Sequence, residues 1–218
     1  MQMEENQNES LNEVPAAESS ESSQPSDSSD SSEPPGSSDS SASSKSSSSR
    51  LEVEISTSYP PEVKRDLAAG DDDPSHTHDY KLSWRPTETH VYVSVEGRKM
   101  CHVGLVRQTV EVCGAWLEVA GIGGVLVRDG ERSHGYGRAA MDAAEAFVLR
   151  EMKIEFALLF CREAIRSWYD AHGWRKVLGA TWAEQPGGSI VLPLVSMWKS
   201  LSGARWPDGD VHLHSRPW

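Results

Sequence analysis

The segment "RSHGYGRAA", Arg132 to Ala140, sets Gly135 and Gly137 one residue apart, behind an arginine and ahead of an Ala-rich apolar run. Glycines so spaced let backbone amides approach an anion at a helix start, where the helix end adds partial positive charge. The indicated chemistry is phosphate binding. A P-loop is excluded, because no Lys followed by Ser or Thr comes after the glycines. "GYGRAA" fits the GxGxxA variant of a dinucleotide fingerprint, but such a turn begins where its strand ends. Here the residues from Arg128 to His134 intervene after the apolar run that closes at Val127.

The elements that must hold this loop can be read from periodicity. "LEVEIS" (Leu51 to Ser56) alternates as a half-buried strand does, and "YPPEVKRDLAAG" places Pro at a helix start and Gly70 at its end. "DDDPSHTHDY" reads as a loop. "HVYVSV", the turn "EGR" and "MCHVGLVRQTVEV" predict a hairpin, and a second turn at "CGA" leads into a strand from Trp116 to Val127. Gly121, Gly123 and Gly124 in that strand mark a bulge or a close approach by another backbone or a ligand. A helix is expected from Gly137 to about Met152, then a buried strand in "EFALLFC" and a short helix, "EAIRSWYDAH", stopped by Gly173. "GWRKVLG" and "SIVLPLVSMW" predict two last strands separated by the turn "PGG".

Composition divides the 218 residues unevenly. Residues 1–50 hold twenty serines and ten acidic residues against Lys45 and Arg50, so they carry −8 of the formal −12. Such a leader cannot bury enough apolar surface to offset its ordering entropy, and disorder is expected there. The remaining −4 argues against nucleic acid as a partner. No apolar run approaches the roughly 20 residues of a membrane span, so no membrane partner is expected and the location is read as cytoplasmic. Cys101, Cys113 and Cys161 form no CxxC pair and read as buried thiols. "HTH" (His76 to His78) and "HLH" (His212 to His214) lack a third ligand, so no metal site is assigned.

The order "VAGIGGVLV", "RSHGYGRAAMDAA", "FALLFC", "SWYDAHGW" resembles the GNAT superfamily of acetyl-CoA-dependent N-acetyltransferases, over roughly residues 51–198. The resemblance implies an α/β (α+β) domain over 51–200. Its mixed, mostly antiparallel sheet would be flanked by helices and splayed to form an acetyl-CoA cleft. It implies that the backbone of Val125, Leu126 and Val127 pairs with the pantetheine arm. The amides of Arg132, Ser133, His134, Gly135, Tyr136 and Gly137, with the side chain of Arg138, would meet the pyrophosphate. In the family a Tyr before the Gly-aromatic pair protonates the departing thiolate, which assigns Tyr169 as general acid. Its phenol has an ordinary pKa near 10 and is protonated at neutral pH.

Glu118 is taken as the general base, with His102 and Glu163 as alternatives. A Cys161-acyl intermediate lacks a His at a diagnostic spacing. Trp168 and Trp174 read as core. A looser resemblance is to the aminoglycoside 2′-N-acetyltransferase branch, through "VLVRDGERSHGYG", "WYDAHGW" and the acidic tail "RWPDGDV" within 201–218. It implies that Asp208, Asp210 and the terminal carboxylate meet the substrate. Where that branch carries a Glu before "VLV", this chain has Gly123 or Gly124. The expected reaction is acetyl transfer to a primary amine of a small molecule. A silent coenzyme-binding or interaction protein and a peptide N-acetyltransferase are the alternatives.

Overall fold

The computed structural model describes residues 50–218, and the expected leader lies outside them except for Arg50. Three long strands form the spine: β2 (Thr89–Val95), β3 (Arg98–Val112) and β4 (Ala115–Val127). Two tight turns set their antiparallel register. Glu96 and Gly97 have φ of 51° and 75°, and Cys113 and Gly114 have 50° and 80°, the paired left-handed conformation that matches strand twist in two-residue hairpins. β1 (Leu51–Ser56) pairs antiparallel with β2, and α1 (Pro61–Leu67) starts on its proline as read.

After β4 the chain runs through the glycine loop into α2 (Tyr136–Phe147), and Val148–Met152 widens into a π-helical turn. β5 (Phe156–Cys161) returns parallel to β4, α3 (Glu163–Asp170) follows, and the short β6 (Arg175–Lys176) lies beside β9 (Val195–Ser200). The result is a mixed, mostly antiparallel sheet with helices against it, the architecture expected.

The last third departs from the sequence reading. "GWRKVLG" yields only the two residues of β6, because Val177 already turns inward to the core. The "PGG" turn instead joins β7 (Thr181–Gln185), which was not anticipated, to β8 (Gly188–Val191). Pro193 then separates β8 from β9, since a residue without an N–H cannot serve in a continuous ladder. Residues 201–218 are not a loose tail: β10 (Val211–His212) inserts between β3 and β7, and Trp206, Leu213 and Trp218 are buried.

Each face of the sheet has its own core. On one, Val91, Val103, Leu105 and Leu159 pack against Ala140, Met141 and Ala144 of α2 and against Tyr169 and Trp174. On the other, Val106, Val110, Phe156 and Leu158 meet Trp206, Leu213 and Trp218. The strand glycines serve this second face. A Cβ on Gly121 would overlap the indole of Trp218, and one on Gly104 would overlap the side chain of Thr87. Both glycines are sockets for crossing segments. Trp174 is core as expected, whereas Trp168 is 36% exposed, and Cys113, unlike the buried Cys101 and Cys161, is exposed in its hairpin turn.

Gly121→Ala should therefore unseat Trp218. Losing a buried Trp costs about 3 to 5 kcal/mol, so a loss of about 2 to 4 kcal/mol is expected in urea unfolding. In a Trp218→Ala background the same substitution should add almost nothing; an undiminished additional loss would show that the socket is not what Gly121 provides.

Candidate functional site

β4 and β5 pair from Val119 with Phe156 as far as Ile122 with Leu159, and no further. β4 continues to Val127 bonded to β3 alone, and β5 continues to Cys161 bonded to β9 alone. The two strands therefore part beyond Ile122. A shift of register between His102 and Gly104, opposite Gly124 at φ 57°, bends β4 at this point. Gly123 to Val127 thus present a strand edge that can accept an extended ligand.

The loop from Arg128 to Gly135 hangs on one buried arginine. The Arg128 guanidinium donates to the carbonyls of Lys99 and Asp66 and to the Asp66 carboxylate, and so ties β3, α1 and the loop base together. That hydrogen bond holds the Asp66 carboxyl below its usual range. Ser133 and Gly135 have φ of 70° and 82°, left-handed turns of the kind that gather successive amides into an anion-binding concavity. Among the described residues, none of the amides from Arg132 to Arg138 has an acceptor, while Ala139 already donates to Gly135. The first turn of α2 carries no acidic side chain to balance the helix end.

The two glycines have different tasks. Gly135 supplies the left-handed conformation at the helix cap with open space around it. Gly137 is buried, and a Cβ there would crowd Val127 at 3.2 Å while meeting Trp168 at an ordinary contact distance of 3.5 Å, so it lets the start of α2 lie close on the end of β4. Arg132, Ser133 and His134 are exposed, and Arg138 faces Asp142 one turn on at 3.5 Å.

α3 also brings Tyr169 to the parting strands from the α2 side. The residue is buried, its hydroxyl has no hydrogen-bond partner among the described residues, and burial together with Cys161 and Cys101 raises its pKa above the ordinary phenol value. It holds its proton at any physiological pH. Burial also pushes the Cys161 thiol up to about 11, which removes the thiolate that covalent catalysis would need.

Of the base candidates, Glu118 lies four residues before the last β4–β5 pair, about 13 Å of strand away, and is ion-paired to Arg107 at 2.6 Å. The structure does not bring it to the cleft. His102 does lie there, on the face opposite α2, but its lone pair is taken. A carbonyl can only accept, so His102 Nδ1 donates to the Gly124 oxygen at 2.7 Å, and its Nε2 accepts from His90 Nδ1 at 3.0 Å. Tyr59 stacks on the ring, with centroids 3.8 Å apart. The pair thereby fixes the carbonyl of the bulge. Glu163 begins α3 just after β5, exposed and paired with Arg166. Asp208 is exposed and faces Arg205, and Asp210 accepts the Ala180 amide at 2.8 Å, which docks the crossing of Gly209 over Gly179.

Compared with known proteins, residues 80–184, just under half of the chain, match the model of the nodulation protein A family. No curated protein sequence matches the chain. One similar solved structure is the GNAT family N-acetyltransferase YhbS of Escherichia coli in complex with CoA, 17% identical over 76% of this chain and 91% of that one, with a TM-score of 0.45. Another is a GNAT family acetyltransferase of Brucella melitensis in complex with acetyl-CoA, 15% identical over 75% and 96% of the two chains, also at 0.45.

Sequence reasoning missed Arg128, His90 and the seat of Trp218 in this site. A loop arginine, a strand histidine and a distant tryptophan carry no local pattern; only the glycines opposite His90 and Trp218 pointed to a close approach.

Burial lowers the pKa of His102 from 6.5 to about 4 and lowers that of His90 as well. The unfolded chain therefore takes up protons that the folded one refuses, so stability is full above about pH 6.5 and falls as pH drops towards 4. About 3 kcal/mol is expected from His102 across that window. His102→Asn, which keeps a donor for Gly124, should flatten the dependence of the urea midpoint on pH between 7.5 and 5; an unchanged slope would remove this pair as its source.

Proposed function

We propose that the protein transfers an acetyl group from acetyl-CoA to a primary amine of a small molecule. The observation that carries this reading is the junction of a strand edge without a β5 partner, Gly123 to Val127, with a loop of acceptor-free amides at the start of α2. An extended pantetheine arm suits the first and a pyrophosphate the second. The matched nodulation protein A family is an acyltransferase family, which agrees with it.

In this mechanism Val125, Leu126 and Val127 hold the arm, and the amides of Arg132 to Gly137, helped by the side chain of Arg138, hold the phosphates. The neutral amine enters from the face of Trp218 and attacks the thioester carbon. The proton it sheds passes through water to Glu163, which replaces Glu118 as our candidate base. The C–S bond breaks, the thiolate takes the proton of Tyr169, and the phenol is restored from solvent. Holding thioester and amine in attack geometry supplies much of the acceleration, up to roughly 7 to 11 kcal/mol.

The test uses the full chain. Acetyl-CoA at a hundred times its dissociation constant should stabilise the fold by about 2.7 kcal/mol in thermal unfolding. Arg132→Glu, at an exposed position, should weaken that effect. Tyr169→Phe should keep the stabilisation and lower turnover by roughly 100-fold or more. Absence of any shift at millimolar acetyl-CoA would reject the coenzyme, and unaltered turnover in Tyr169→Phe would remove it as the acid.

A further inference from the structure

Buried polar atoms without partners are rare, and each asks for an explanation. Among the described residues they are Arg162 Nε, Thr181 Oγ1, Ser196 Oγ, Ser200 Oγ and Trp218 Nε1. Three of the five gather around Phe160, near the point where β5 leaves β4. Ser196 stands directly opposite Phe160 in the β5–β9 ladder and shares its face. Arg162 follows two residues on with extended backbone, φ −72° and ψ 149°, and so projects to that same face. The Trp218 ring lies 4.9 Å from that of Phe160.

A cavity of about 380 Å3 opens beside Ser196 of this group, and Glu163, the residue after Arg162, reaches its wall. Its lining includes Ser196 and Thr181, 6% and 4% exposed, with Glu163 and Lys176 at its border and Val177, Leu192 and Leu194 as apolar wall. The charges around it are unequal. Glu163 is paired with Arg166 at 2.9 Å, and Asp210, next to the lining residue Ala180, already accepts that residue's amide. The Arg162 side chain has neither an ion-pair nor a hydrogen-bond partner among the described residues.

A partly buried guanidinium with an unpartnered, fully buried N–H is costly unless an anion reaches it. Two hydroxyls and an indole N–H, all able to donate, stand in the same neighbourhood. We propose that the amine acceptor also carries a carboxylate, received by Arg162 with Ser196 and Thr181, and an apolar side chain seated against Val177, Leu192 and Leu194. The substrate class is then an apolar α-amino acid, and its product the N-acetyl amino acid. This inference rests on the acyl-transfer reading, and it inverts the cationic recognition that Asp208 and Asp210 would imply.

The test reads product binding, so it requires no turnover. The full chain, with coenzyme A present, is titrated calorimetrically with the N-acetyl derivatives of alanine, leucine and phenylalanine, and with the matching carboxamides. The free carboxylates should bind at least tenfold more tightly than their carboxamides, with leucine or phenylalanine best. In Arg162→Gln that preference should collapse towards unity, and Ser196→Ala should reduce it several-fold. Equal binding of carboxylates and carboxamides, or a preference that survives Arg162→Gln, would overturn the proposal. Thermal stabilisation by acetyl-CoA, measured on the same samples, reports separately on the coenzyme cleft. A chain stabilised by acetyl-CoA that shows no carboxylate preference keeps the acyl-transfer reading and loses only this one.

Discussion

A parallel strand pair that stops pairing halfway leaves backbone groups of both strands without their ladder bonds, and this constraint organises the molecule. β4 and β5 hold each other through Ile122 and Leu159, then diverge, each held by its other neighbour. Because β3 and β9 continue the sheet on either side, the opening cannot collapse. It is a fixed gap rather than a frayed edge, and a ligand that supplies strand-like hydrogen bonds can enter it without first paying to order the protein.

Everything near the gap is held from outside it. Arg128 ties the loop base to α1 and β3, Gly137 lets the start of α2 lie close on Val127, and His90 steadies His102 against the bulge carbonyl of Gly124. These contacts consume the side chains that make them, which is why His102 is a clamp rather than a base. Among the described residues near the gap, the amides from Arg132 to Arg138, the hydroxyl of Tyr169 and the polar atoms around Phe160 are left without partners.

The two faces divide the labour. α2 and α3 cover one and carry the glycine loop and Tyr169. On the other, residues 83–88 and 211–218 cross the sheet, joined where Arg85 donates to the Pro217 carbonyl at 2.7 Å, and they seat Thr87 and Trp218 on glycines of β3 and β4. Glycine in a strand normally weakens it. Here Gly104 and Gly121 exchange that cost for a second core and a shaped approach to the gap.

What the sequence by itself determined is whatever depends on neighbours a few residues apart. The β2–β3–β4 meander followed from alternation and from turn residues that tolerate left-handed backbone. The helix after Gly135 followed from its apolar spacing, and the anion loop from glycines at a helix start. Tyr169 came from the resemblance, and the fold buries it with Cys161 and Cys101 on the α2 side of the sheet. Tertiary structure decided what depends on partners far along the chain. It broke "SIVLPLVSMW" at Pro193, drew β10 in beside β3 and moved Glu118 out of reach of the cleft. It also placed Arg162 and Ser196 on one face around Phe160. Those outcomes turn on which strand lies next to which and on which buried group finds a partner, and no local pattern encodes either.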